Sequence, residues 1–138
     1  MYSLPVRIYY EDTDAGGIVY HASYVRFLER GRTEYLRAIG LDQSQLMTAE
    51  AGRPLLFVVR RMTVDYLRPA KLDDVVTVTT AVKTIGGASM ELIQSVLRGD
   101  ERLVGALVTV VAIGADGRPR RIGAEVRGRF LGTIQGMG

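Results

Sequence analysis

The chain has 138 residues, no cysteine, one histidine and no tryptophan, with 18 basic against 15 acidic residues and a pI near 9.4. Without cysteine there is no disulfide and no thiol nucleophile; one histidine cannot furnish a transition-metal site, and no apolar run is long enough to span a membrane. The length predicts one domain, residues 1–138, with a single core, and the net charge of +3 favours phosphate-bearing ligands without selecting one.

The opening Met1-Tyr2-Ser3-Leu4-Pro5 lacks the basic and apolar regions of a signal peptide, so a cytoplasmic location is the expectation. Residues 6–10, Val-Arg-Ile-Tyr-Tyr, are rich in β-branched and aromatic side chains and predict a strand that the acidic and glycine cluster after them terminates. A loop begins near Glu11. From about Ala22, Tyr24, Leu28, Tyr35, Leu36 and Ile39 fall near helical spacing, with charged residues between them and Gly40 as a stop signal. Gly31 in mid-helix costs about 1 kcal/mol against alanine, which predicts close approach of the helix to a strand.

Residues 41–54 read as a connection containing a short helical turn. Four β-rich runs follow at 55–66, 74–84, 88–98 and 102–113, punctuated by Pro69-Ala70, Gly86-Gly87 and the tight-turn pair Gly99-Asp100. The run from Val104 to Ile113 is apolar enough to be buried on both faces. A turn at Asp116-Gly117-Arg118-Pro119, a short helix near 124–131 and a fraying end through Gly136 and Gly138 complete the chain. The sum is an α+β layout of one long helix and a largely antiparallel five-stranded sheet.

Most of the candidate chemistry lies between Tyr9 and Tyr24. Asp14 precedes the pair Gly16-Gly17 at a helix entrance, where glycines admit a ligand to the backbone and the first helical turn offers unpaired N–H groups to an oxyanion. The same carboxylate equally suits an Asx turn or a helix cap, Tyr10 and Tyr24 suit packing, and a lone His21 suits a structural place. Alternation along an extended loop would aim Asp12 and Asp14 to one side, with Asp12 structural. Asp12-Thr13-Asp14 does not continue as a calcium loop, because its fifth place is Gly16 and its twelfth is Ser23. Asp14, His21 and Ser23 do not make a serine-hydrolase triad, since there is no G-x-S-x-G elbow and residues two apart on a helix do not face each other. The arginines at 118, 120, 121, 127 and 129 lack interleaved aromatics, which argues against nucleic acid and leaves a solvated face or a phosphate contact.

The run Tyr10-x-Asp12-x-Asp14-x-Gly16-Gly17-x-Val19-x-His21-x-x-Tyr24, followed by Phe27, Glu29 and Arg32, resembles the signature of hotdog-fold acyl-CoA thioesterases. It closely resembles the YbgC type, the thioesterases associated with the Tol-Pal cluster, within the 4-hydroxybenzoyl-CoA thioesterase family. The resemblance extends through Met62-Thr63-Val64-Asp65-Tyr66-x-x-Pro69-Ala70-x-Leu72-Asp73-Asp74 to roughly Ile113. It implies a hotdog domain, with the sheet wrapped around the long helix. It also implies hydrolysis of acyl-CoA to free acid and coenzyme A without cofactor or metal.

On this resemblance Asp14 matches the reactive carboxylate, as nucleophile or as general base, and the backbone N–H at His21 matches the donor that polarises the carbonyl. The His21 imidazole is implicated in the YbgC type, and Tyr10 is a further candidate near the site. Gly16, Gly17, Val19 and Ser89 are the positions expected to contact substrate. The turn 85–89 carries basic residues for nucleotide phosphates in related enzymes and none here, leaving Arg60, Arg61, Lys83 or the C-terminal arginines to supply charge; adjacent strand residues Arg60 and Arg61 should point to opposite faces. Tyr24, Phe27, Leu28 and Phe57 are candidates to close an acyl tunnel. Protomers of the family pair through their sheets into dimers or tetramers with sites at the interface. Acyl-carrier protein, phospholipid-synthesis enzymes and the inner membrane are associations suggested by the resemblance alone. The competing readings are a non-catalytic acyl-CoA or acyl-carrier-protein binding module and a hotdog dehydratase; the Asp12-x-Asp14-x-Gly16 pattern argues against the last.

Overall fold

A computed structural model describes residues 1–41 and 55–135. Strand β1 (Tyr2–Arg7) leads through a 3-10 turn (Tyr10–Asp12) and a glycine loop into helix α1 (His21–Ala38); β2 (Leu56–Tyr66), β3 (Val75–Ile85), β4 (Ser89–Arg98) and β5 (Glu101–Ile113) precede helix α2 (Ala124–Gln135). The five strands form one antiparallel sheet in the order β1-β3-β4-β5-β2. The four later strands fall within a residue or two of the expected runs, because each alternates or saturates with β-branched residues between glycine or proline punctuation. Most of the connection expected at 41–54, and the end expected to fray from Gly136, lie outside the described residues.

The first strand lies earlier than the composition of residues 6–10 predicts. It runs from Tyr2 to Arg7 and pairs with β3 from Thr80 back to Val75. Pro5, which cannot donate to a ladder, is tolerated because β1 is an edge strand. Tyr9 and Tyr10 leave the sheet because the Asp12 carboxylate accepts the Tyr9 N–H at 2.8 Å and closes the 3-10 turn. A local side-chain bond has outcompeted the ladder.

Helix α1 buries Ser23, Tyr24, Phe27, Leu28, Gly31, Tyr35 and Leu36. That stripe packs on β1, β3 and β4. Gly31 is where the approach is closest: a Cβ there would meet Val78 Cγ1 at 2.6 Å, Thr80 Oγ1 at 3.1 Å and Gln94 Nε2 at 3.2 Å. Gln94, fully buried beneath the helix, donates to the Leu28 carbonyl and the Thr80 hydroxyl and accepts from Arg32, so its amide is satisfied on both ends. β5 is buried at Leu103–Ala106, Val108 and Val110–Ala112, as its near-continuous apolar run requires. At the other end of the helix, Phe130 of α2 packs on Tyr35 and Phe57.

Two further expectations change. The helical pattern at 124–131 continues to Gln135. Strict alternation at Arg60 and Arg61 fails, because the register with β5 slips between Val59 and Arg61 and leaves Arg60 as the extra residue of a bulge; both arginines are exposed.

Candidate functional site

The loop carrying Asp14 is built almost entirely from its own backbone. The Asp14 N–H donates to the Ile18 carbonyl at 2.9 Å, Gly17 N–H donates back to the Asp14 carbonyl at 3.1 Å, and Thr13 and Val19 form a short antiparallel bridge. Gly17 sits at φ 81°, a left-handed conformation that costs an L side chain roughly 1 kcal/mol or more. The Gly16 N–H donates to Asp14 Oδ1 at 2.8 Å, an Asx turn that orients the carboxylate and leaves the residue exposed.

The two acids of the Asp-Thr-Asp run part company. Asp12 lies inside the 3-10 turn rather than on an extended loop, so the shared side expected for it and Asp14 is not found. Its side chain is buried, with Oδ2 accepting from Tyr9 N–H and Oδ1 accepting from Arg26 at 3.2 Å. Its carbonyl accepts the Tyr20 N–H and the Ser23 hydroxyl. Asp12 therefore welds the loop's start to the first turn of α1.

Helix α1 begins at His21, one residue earlier than the periodicity predicts, and its N-cap Tyr20 makes no side-chain cap bond. A first turn without such a cap presents N–H groups and the positive end of the helix dipole. The His21 ring is exposed, 4.5 Å from the Tyr20 ring and 6.0 Å from that of Tyr66, centroid to centroid. Tyr66, at the end of β2, donates its hydroxyl to the His21 carbonyl at 3.3 Å.

Beside the helix start is a pocket of about 270 Å³ lined by Ile18, Val19, His21, Tyr24 and, opposite them, Tyr66 to Pro69. Asp14 does not line it but stands on the loop whose Ile18 and Val19 form its rim. The opposite wall opens a strap that runs on from Leu67 to Asp74 and is tied to that rim: Val19 N–H donates to the Ala70 carbonyl at 2.9 Å, and Ile18 pairs with Lys71. The buried Tyr24 hydroxyl accepts the Ala70 N–H at 2.9 Å, and burial pushes this phenol's pKa up.

The other expected site positions scatter. Val19 stays on the pocket rim but is 4% exposed, and its N–H is already bonded to the Ala70 carbonyl. Tyr10 is 82% exposed on the 3-10 turn, neither packed nor aimed into the pocket. Ser89 opens β4 opposite Val111, whereas Tyr66 lies opposite Val104; strand rise along β5 separates them by on the order of 20 Å within a protomer. Among the candidate tunnel residues, Tyr24 lines the pocket, Phe27 and Leu28 are core, and Phe57 lines a second cavity of about 200 Å³ between α1, the sheet and Phe130. Of the C-terminal arginines, Arg127 donates to the carbonyls of Gly86 and Gly87, and Arg129 to that of Ile39. Tyr66 and the strap residues Leu67 to Pro69, which line this pocket, were not among the expected site positions. Their only sequence signal is that they fall in the second matched run, 62–74.

The thioesterase superfamily profile matches residues 16–105. The chain belongs to that family. It is 46% identical over 114 residues, 82% of each chain, to the acyl-CoA thioester hydrolase YbgC of Escherichia coli O6:H1. A probable thioesterase from Bartonella henselae superposes with TM-score 0.85 at 39% identity, covering 88% of this chain and 98% of that one. A thioesterase from Thermus thermophilus, solved with coenzyme A and zinc, superposes with TM-score 0.81 at 29% identity, covering 94% and 91%. The fold of this thioesterase-family chain is the hotdog, its long helix wrapped by the antiparallel sheet. Among the described residues no helix is long and apolar enough to cross a membrane, and no three His, Asp or Glu side chains gather as a metal site.

Proposed function

We propose that the chain is an acyl-CoA thioester hydrolase whose reactive group is Asp14. The observation that carries the reading is an exposed carboxylate, oriented by the Gly16 N–H, on the loop that runs directly into the α1 N-terminus, which has no side-chain cap. The 46% identity to the E. coli YbgC hydrolase and the coenzyme A held by the T. thermophilus relative supply the substrate class.

The thioester carbonyl oxygen accepts the N–H of the first helical turn at His21, which stabilises the negative charge that develops as the carbonyl carbon becomes tetrahedral. Asp14 acts on that carbon in one of two ways. As a nucleophile it displaces the coenzyme A thiolate to form a mixed anhydride that water then cleaves; as a general base it removes a proton from the attacking water. Either route yields the free acid and coenzyme A. The His21 imidazole, held exposed between two tyrosines, orients water or substrate. Two copies pair through β2, the free edge of the sheet beside β5, with Val59 and Tyr66 among its exposed apolar residues.

The test is release of free coenzyme A from short, long and aromatic acyl-CoAs by wild type and Asp14→Asn. The near-isosteric change should leave the fold intact and lower kcat by about a hundredfold or more. His21→Ala should cost less if the backbone donor is the main contribution of that position. Near-wild-type turnover in Asp14→Asn refutes the assignment, and tight binding without turnover by wild type moves the binding-module reading ahead. Single turnover in ¹⁸O water separates the routes, because only the anhydride route leaves label on Asp14 when the water attacks the aspartyl carbonyl.

A further inference from the structure

We propose that Arg98, at the end of β4, is a positioning residue for the Asp14 loop; this rests on the reading of Asp14 as the reactive carboxylate. Arg98 does not contact Asp14 and does not itself line the pocket. Its guanidinium binds Asp74 Oδ2 at 2.8 Å and Glu101 Oε1 at 2.6 Å, and reaches the Pro69 carbonyl at 3.4 Å. Asp74 in turn accepts the Lys71 N–H at 2.9 Å, and Glu101 holds Arg68, a residue of the pocket wall, at 2.6 Å. Four charged side chains thus grip the strap at Arg68, Pro69, Lys71 and Asp74.

The strap carries the loop. Ala70, between two of those gripped points, holds Val19 by its N–H, and Lys71, itself gripped, pairs with Ile18. Ile18 then accepts the Asp14 N–H. These links are isolated bridges and single backbone bonds rather than a strand ladder, and the strap's other backbone ties run to Leu103, which accepts from Leu67 and Arg68, and to Ile8, which bonds Asp73 and Asp74. Asp73 within the strap holds φ at 70°, a conformation that persists only when its surroundings over-determine it. Without Arg98, Asp74 and Glu101 lose their shared cation and the Pro69 carbonyl its donor, and the strap keeps fewer ties.

The experiment compares wild type, Arg98→Met and Arg98→Lys by amide hydrogen exchange and by acyl-CoA kinetics, well below each protein's melting temperature. In Arg98→Met, exchange at Val19 and Asp14 should rise by roughly tenfold or more while Val78 and Val96 in the sheet stay protected. kcat should fall by about tenfold with KM changed far less, because small misplacements of a reacting group cost rate. Arg98→Lys, able to keep one ion pair, should lie between. Unchanged exchange at Val19 in folded Arg98→Met overturns the proposal, and so does faster exchange with unchanged kcat. If wild type itself hydrolyses no acyl-CoA, the proposed function fails, and exchange at Val19 still decides whether Arg98 holds the loop.

Discussion

Tyr24→Phe removes one oxygen from a residue that is 3% exposed and leaves the fully buried Ala70 N–H without its partner. An unsatisfied buried donor costs about 1–3 kcal/mol, whereas removing a partner that water can replace costs little. Unfolding entropy of about 2.1 cal/mol/K per residue, over 138 residues, converts that loss to roughly 3–10 °C in Tm. The control is Tyr66→Phe, whose hydroxyl makes a 3.3 Å bond at an exposed site and should change stability by no more than about 0.5 kcal/mol. Both variants and wild type are melted at one protein concentration, with their association state measured at that concentration. The tyrosine also has a pH signature. Burial raises the Tyr24 pKa above the ordinary value of 10.0, so the unfolded phenol ionises first; the stabilisation is complete below that value and is lost as pH rises through the folded pKa. Wild type should therefore lose stability more steeply than Tyr24→Phe above about pH 10. Equal Tm for Tyr24→Phe and Tyr66→Phe would refute the reasoning that the strap hangs on a desolvated hydrogen bond.

Two other outcomes follow from the packing and the charges. Gly31→Ala gains about 1 kcal/mol of helix propensity but drives a Cβ to 2.6 Å from the fully buried Val78, an overpacking that costs about 1–3 kcal/mol; the urea midpoint should fall. The Lys71 N–H and the Arg98 guanidinium hold the Asp74 carboxyl below the ordinary value of 3.8, so its stabilisation is present above that value and disappears as pH falls through the lowered pKa. Asp74→Asn should be less stable than wild type at pH 7, with the difference shrinking below about pH 4 in acid titrations of fluorescence or circular dichroism.

Local patterns in the chain determined what depends on neighbours in sequence. The period of α1, the four β-rich runs, the Gly99-Asp100 turn and the glycine loop after Asp14 are all legible there, because backbone conformational cost and side-chain periodicity act over a few residues. Even the close approach at Gly31 is readable, since a glycine in mid-helix needs a reason. The start of β1 is less so: Tyr9 and Tyr10 have strand-forming side chains, and only the Asp12 bond to the Tyr9 N–H shows why they leave the sheet. The same is true of the two acids. Asp12 and Asp14 are two positions apart and of the same type, yet one is buried against Arg26 and the other is exposed on an Asx turn.

Tertiary structure alone decided how the loop is held. Ile18 meets Lys71, Tyr24 meets Ala70 and Arg98 meets Asp74 across 53, 46 and 24 positions of chain. No local propensity encodes such pairs, because each exists only once the sheet order β1-β3-β4-β5-β2 has brought the strand ends together. The Asx turn that orients the Asp14 carboxylate was visible in the sequence because its glycine lies two residues on; its support was not, because a strap is defined by what it lies against.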